Sequence, residues 1–284
     1  MKPLPGDIDF CMQQVRNGDM DRYLSVLFAA RNARAGLFAL YAFNLEVASI
    51  RDMITEPVAG EIRLQWWRDT IAALFDGACP DHPVARLLGV TIAEKNLPAA
   101  AFSAMIDARR FDLYDDAPPD LAFLEGYAGE TASALFALSS RILTGAAASG
   151  AATSAGYGGV AYALTGLMRA FSFHRARGQV YLPCDQLERN GVTPQAVLAD
   201  EEREAVSATL AGLRNTTRRH LDLARKSAGE IPPEARSAFL PLTLVEPCLN
   251  LMDVPAYDPY RDRAELSHLA RQWRYWRAAW RGSF

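Results

Sequence analysis

Cysteine is scarce and scattered in this chain of 284 residues. Cys11, Cys79, Cys184 and Cys248 form no CxxC pair and have no histidine pair nearby. That spacing argues against a zinc site and a disulfide framework, and points to a reducing compartment. Lysine is equally rare: Lys2, Lys95 and Lys226 stand against a cationic complement that is otherwise arginine. A formal charge of −3 is too small to attract nucleic acid through bulk electrostatics. Alternating runs of Val, Ile and Thr are missing, as are P-loop and nucleophile-elbow patterns. The opening MKPLPGDIDF has prolines and acids where a secretory signal needs an apolar core, so none is expected. Charge is absent from Ile142 to Met168, a stretch long enough to cross a bilayer of ~30 Å. Small residues dominate it, however, and Gly145, Gly150, Gly156, Gly158 and Gly159 interrupt it. It reads as a helix end, a small-residue loop and a buried helix start. No span is predicted, and the expected location is cytoplasmic.

What remains is plentiful helix material. Half of the chain is hydrophobic and 22% is charged, and alanine and leucine, which lose little rotamer freedom in a helix, are abundant. The expectation is an all-α fold: a single-domain helical bundle over residues 1–284, large enough to need no staples. Amphipathic segments separated by Gly and Pro place helices at about 33–53, 60–75, from Pro83, from Pro98, and at about 121–143, 154–176, 201–226, 233–252 and 263–281. Gly145–Thr153 is a weak candidate boundary.

Two blocks carry a resemblance. RYLSVLFAARNARAGLFALYAFNLEVASIRD (residues 22–52) and GVAYALTGLMRAFSFHRARGQVYLPCDQLERNGV (159–192) resemble the squalene/phytoene synthase family; HPVARLL, LPAAAFSAMIDARRFDL and the terminal WRYWRAAW fit it too. The resemblance implies an isoprenoid-synthase bundle in which two prenyl diphosphates are joined head to head. In that family two aspartate-rich helices hold Mg²⁺. Carboxylates four apart share a helix face, and Mg²⁺ takes hard oxygen ligands bridged to phosphate. Here the first block keeps one acid, with Ala48, Ser49 and Asp52 at the family's aspartate positions. The second has Ala163, Gly166, Ala170 and His174 where the family has Gln, Asn, Asp and Asp. No Asp or Glu occurs anywhere from 159 to 183. YAGETASALF (127–136) puts Ser133 and Phe136 where the family has glycines, with Phe136 expected to fill part of the prenyl channel. Tyr41, Phe43, Arg169, Gly178, Tyr181, Leu182 and Pro183 retain the family's scaffold pattern.

The combination YAFNLEVASIRD, RLQWWRDTI and MRAFSFH ahead of YLP resembles the branch of this superfamily that assembles mitochondrial complex I. That implies a bacterial relative acting as a pseudoenzyme in complex I assembly, with no catalytic residue, no metal and no cofactor. The implied partners are a membrane surface or a membrane subunit of complex I, with a prenyl or phospholipid ligand in the old cavity, and no nucleic acid. Two alternatives stay open. One is an active farnesyl or geranylgeranyl diphosphate transferase whose Mg²⁺ site is rebuilt from Asp52 with Asp107 or Asp112; the other is a prenyl-lipid binding protein. Against the rebuilt site, Asp107 and Asp112 are five apart, about 140° around a helix.

Individual residues carry double readings. Asp52 is either a relict ligand or an ion-paired residue beside Arg51. His174 either donates to an anionic head group, with Tyr41, Arg51, Arg169, Arg177 and Tyr181 as further contacts, or is a satisfied core histidine. Arg169, Arg175 and Arg177 either grip phosphate or complement a helix C-terminus. Trp66 and Trp67, with Arg63 and Arg68, are either an interaction surface or half core, half edge. At the C-terminus Leu269, Trp273, Trp276 and Trp280 form one helical stripe, with Arg271, Arg274, Arg277 and Arg281 on its flank. Such a helix either lies in a membrane interface or docks on the bundle with snorkelling arginines.

Overall fold

The computed structural model describes residues 3–78, 80–145 and 150–284. Cys79 and residues 146–149 of the candidate boundary at 145–153 therefore lie outside the described residues. No strand occurs among the described residues. The helices are α1 (Asp7–Gly18), α2 (Met20–Leu27), α3 (Arg31–Ala48), α4 (Pro57–Phe75), α5 (Pro83–Lys95), α6 (Ala99–Ala108), α7 (Leu121–Ala128) and α8 (Ala134–Thr144). They continue as α9 (Ala152–Arg169), α10 (Phe171–Ala176), α11 (Cys184–Arg189), α12 (Pro194–Ala199), α13 (Arg203–Lys226), α14 (Arg236–Phe239), α15 (Val245–Met252) and α16 (His268–Arg281).

Local chemistry explains the boundaries. Asp19 and Asp120 cap α2 and α7 by accepting from the backbone N–H of Arg22 (2.9 Å) and Phe123 (2.8 Å). Pro57 and Pro83 sit in the first turns of α4 and α5, where no donor is lost. The predicted helix at 121–143 contains a π-turn at Gly129–Ser133, and that at 154–176 breaks at Ala170. The predicted helix at 233–252 is resolved into short turns around Pro241 before α15 begins. The aromatic C-terminal helix starts only at His268, where the Ser267 hydroxyl accepts from Ala270 N. Four helices were not expected: α1 and α2, short and rich in polar residues, and α11 and α12, which lie between the segments expected to be helical at 154–176 and 201–226.

Two apolar cores meet along α8 and α9. The first lies among α1, α3, α4, α5, α6 and α8, and the second around α7, α9, α13 and the 231–264 segment. α3 is central: Leu37 to Asn44 is buried without a break, so the helix presents apolar residues all round. α9 packs along the length of α13 and against the 129–133 turn. Its small residues make that approach possible, because a Cβ at Gly159 would collide with the backbone of Ser133. A third, smaller cluster joins Leu24, Leu240 and Leu244 to Tyr275 and Ala278, seating α16 on α2.

Candidate functional site

The two segments expected to face each other are the turn following α3 and the end of α9 with α10. The turn 50–53 is a single 3₁₀ element, and it delivers Asp52 to solvent. Its carboxylate pairs with Arg177 at 2.6 Å, while Arg51 reaches away to Asp115 at 2.8 Å. Asp52 is thus ion-paired across the cleft rather than with its neighbour Arg51. Gly178, at φ 78°, turns the chain after α10 and brings Tyr181 under His174, with ring centroids 4.6 Å apart. Ala48, Ser49, Ala163 and Ala170 are half-buried and Gly166 is exposed, with open space where a Cβ would stand.

Beneath His174 lies a buried polar cluster; the sequence offered its Asp112 as a metal ligand and its Tyr181 as a ligand contact, but not Arg109 or Tyr127 beside them. Asp112 is buried, and its carboxylate accepts from the Tyr127 hydroxyl (2.9 Å), the Tyr181 hydroxyl (2.9 Å) and Arg109 (3.0 Å). Arg109 also donates to the Tyr127 oxygen at 2.6 Å, and Gln179 caps the Asp112 carbonyl at 3.2 Å. Burial pushes the Tyr127 and Tyr181 hydroxyls well above their usual range, and the adjacent Asp112 charge adds to it, so both stay protonated donors. Burial holds the His174 imidazole below its ordinary pKa, against the pull of Asp112, which keeps it neutral at pH 7. His174 Nδ1 is buried without a partner. The void beside it, lined by Phe171, Tyr181, Leu182 and Leu213, measures only about 10 Å³, roughly the space of one water.

A second polar group occupies the interior between α2, α3 and α9. Arg22 is buried, paired with Asp19 at 2.5 Å, and its guanidinium lies 5.6 Å from the Tyr41 ring and 4.9 Å from that of Tyr162. The Tyr41 hydroxyl accepts from Ser139 at 2.9 Å. Next to it, buried Asp21 holds Arg169 (3.4 Å) and Arg271 (3.0 Å), and Tyr275 donates to the Asp21 carbonyl at 3.1 Å. Burial still raises the Asp21 carboxyl, although both arginines oppose the shift. Arg169 therefore faces α2 and α16, while Arg177 faces Asp52; the structure does not gather the two around one point.

Ser133 donates to the Gly156 carbonyl at 2.7 Å, and Phe136 is buried between Tyr162 and a stacked Phe239. Trp67 is buried against Phe43, while Trp66 lies half outside at the edge of the same cluster. Trp273, Trp276 and Trp280 are exposed. His220 meets Glu125 at 2.7 Å.

Three carboxylates were candidates for a rebuilt metal site. Asp52 is held by Arg177, Asp107 by Arg68 at 2.5 Å, and Asp112 by Arg109. Among the described residues, no group of three or more His, Cys, Asp or Glu side chains is placed to hold a metal ion. Asp112 and Arg109 were readable as polar residues in DARRFDL, but nothing in the sequence marked them as buried.

The squalene/phytoene synthase family model matches residues 15–276. The chain belongs to the squalene/phytoene synthase family. Complex I assembly factor 6 of Bos taurus is 30% identical over 249 residues, which cover 88% of this chain and 74% of that protein. The presqualene diphosphate synthase of Rhodopseudomonas palustris is 33% identical over 192 residues, 66% of this chain and 68% of that enzyme. A crystal structure of a dehydrosqualene synthase with ligand superposes at a TM-score of 0.84 with 19% identity, covering 95% of this chain and 94% of the other. That superposition establishes the family's all-α fold for this chain. In this chain the two blocks, 22–52 and 159–192, fall on α2, α3 and the turn at 50–53, and on α9, α10 and α11.

Proposed function

We propose that this member of the squalene/phytoene synthase family is an assembly factor of respiratory complex I that has given up prenyl diphosphate chemistry. The likeness to complex I assembly factor 6 supports the role. The observation that carries the loss of chemistry is the pairing of Asp52, Asp107 and Asp112 with Arg177, Arg68 and Arg109. Mg²⁺ requires several oxygen ligands and free coordination positions for phosphate. Carboxylates neutralised singly by guanidinium groups do not fit it, and without the metal the main electrostatic stabilisation of a departing diphosphate is gone.

The interior supports the same reading. A buried guanidinium between Tyr41 and Tyr162 is a poor neighbour for a hydrocarbon chain, since burying a charge beside apolar groups alone is costly. Phe136 fills further space with its ring. The protein acts through its surface, on a membrane subunit of the complex and peripherally to the bilayer; no helix among the described residues is long and apolar enough to cross a membrane.

Incubation of the purified chain with farnesyl diphosphate and Mg²⁺ is expected to release no pyrophosphate above a blank. Deleting the gene is expected to lower complex I activity in membranes and to leave carotenoids and hopanoids intact. Steady pyrophosphate release, or loss of those isoprenoids with complex I unchanged, overturns the proposal.

A further inference from the structure

α16 turns its apolar stripe outward. Leu269, Trp273, Trp276 and Trp280 are 77%, 61%, 53% and 77% exposed, whereas Tyr275 and Ala278 on the other side are buried against α2 and the 240–244 turn. The indoles form a ladder: Trp273 stacks on Trp276 at 5.2 Å and Trp276 on Trp280 at 6.3 Å, the latter pair only 5° from parallel. Leu27 and Phe28, at the end of α2, extend the face, and an open groove of about 670 Å³ runs between the two helices. A contiguous aromatic face of this kind marks an interaction surface.

The charge around the stripe decides what covers it. α16 carries four arginines and no acid, in a chain whose formal charge is −3. Arg271 faces inward and is matched by Asp21. Arg274, Arg277 and Arg281 take part in no ion pair among the described residues; the acid in the groove they line, Glu246, is held by Arg218 at 3.0 Å. The exposed apolar stripe of Val58, Ile62 and Trp66 on α4 has mostly paired charges beside it, with Arg110 on Glu61 at 3.0 Å and Arg68 on Asp107, and a single arginine, Arg63, outside any ion pair among the described residues. Indoles favour the headgroup layer of a bilayer, and unpaired arginines beside them find phosphates there. Tyr275 and Arg271 pin the helix from beneath, so the ladder is presented already ordered and loses little freedom on binding.

We infer that α16 lies flat on an anionic phospholipid surface, with Trp273, Trp276 and Trp280 in the headgroup layer and Arg274, Arg277 and Arg281 on lipid phosphates. This deepens the assembly reading and rests on it for its purpose, whereas the contact itself is measurable in isolation. The probes are vesicles of phosphatidylcholine alone and of phosphatidylcholine mixed with phosphatidylglycerol, incubated with the full chain and separated by flotation. Binding is expected on the mixed vesicles only, with a blue shift of tryptophan emission and release by high salt. Arg274→Gln/Arg277→Gln/Arg281→Gln lowers that affinity by about 10²-fold, at roughly five-fold per arginine. Trp273→Ala/Trp280→Ala, at exposed positions and with an unchanged helical spectrum, is expected to reduce the blue shift to the part that Trp276 contributes and to weaken binding more than ~10-fold.

Equal binding to neutral vesicles, no binding at all, or unaltered binding by either variant overturns the inference. So does a lipid-free dimer that the tryptophan variant converts to monomer, which would make a second copy the occupant. Vesicle binding retained in a chain whose deletion spares complex I keeps the membrane contact and removes the assembly reading.

Discussion

Glycine-to-alanine replacements along α9 test the packing on which the site rests. A Cβ at Gly159 would fall against the Cα and N of Ser133, well inside the 3.0 Å that real Cβ atoms respect. The obstacle is backbone on a neighbouring turn, so no rotamer change relieves it; the 129–133 turn and α9 must separate by about 1 Å to reach ordinary contact. Overpacking of this kind costs ~1–3 kcal/mol, and an unyielding neighbour puts Gly159→Ala at or above the top of that range. Alanine's better helix propensity returns only about 1 kcal/mol. The net loss of ~2 kcal/mol or more corresponds to a Tm lowered by about 4–8 °C. Gly156 and Gly166 lie in the same helix, and open space surrounds a Cβ at either one. There the same substitution is expected to be neutral or to stabilise by up to ~1 kcal/mol. Thermal and urea unfolding followed by circular dichroism would measure all three. A Gly159→Ala protein as stable as the parent, or an equal loss at Gly156, refutes the close approach of α9 to the 129–133 turn.

Two further outcomes follow from the polar cluster. Asp112→Ala leaves the Arg109 charge and two tyrosine hydroxyls buried without their acceptor; urea unfolding should show a loss of ~3–5 kcal/mol, and a loss under ~1 kcal/mol would remove Asp112 from that role. His174 has its imidazole pKa lowered by burial, so the unfolded chain binds that proton more tightly than the folded one. The stability it contributes is present above its usual pKa of about 6.5 and is lost as pH falls through the depressed folded value. The unfolding free energy of the parent should therefore fall more steeply between about pH 7 and pH 5 than that of His174→Phe; parallel curves would contradict the assignment.

Residues differ in how far the sequence alone exposed their roles. The central helix holding Tyr41 and Phe43 was visible because its apolar residues recur through several turns. The positions Ala48, Ser49, Ala163, Gly166 and Ala170 were singled out by the resemblance to the family and not by helical spacing, which marks only which of them share a face. α1 and α2 were not, since their polar residues mask a short apolar face that tertiary packing covers. The sequence offers Asp112 only as an acid for a rebuilt metal site, and only the folded chain places it under Tyr127, Tyr181 and Arg109.

The chain's own order of residues determined that it is helical and which family it belongs to; composition, periodicity and motif order are local properties. The tertiary structure alone decided that Asp52 meets Arg177, that Arg22 is buried between two tyrosines, and that the tryptophan ladder faces out. Those are pairings between residues far apart in the chain, and periodicity states which side chains share a helix face without stating what that face meets.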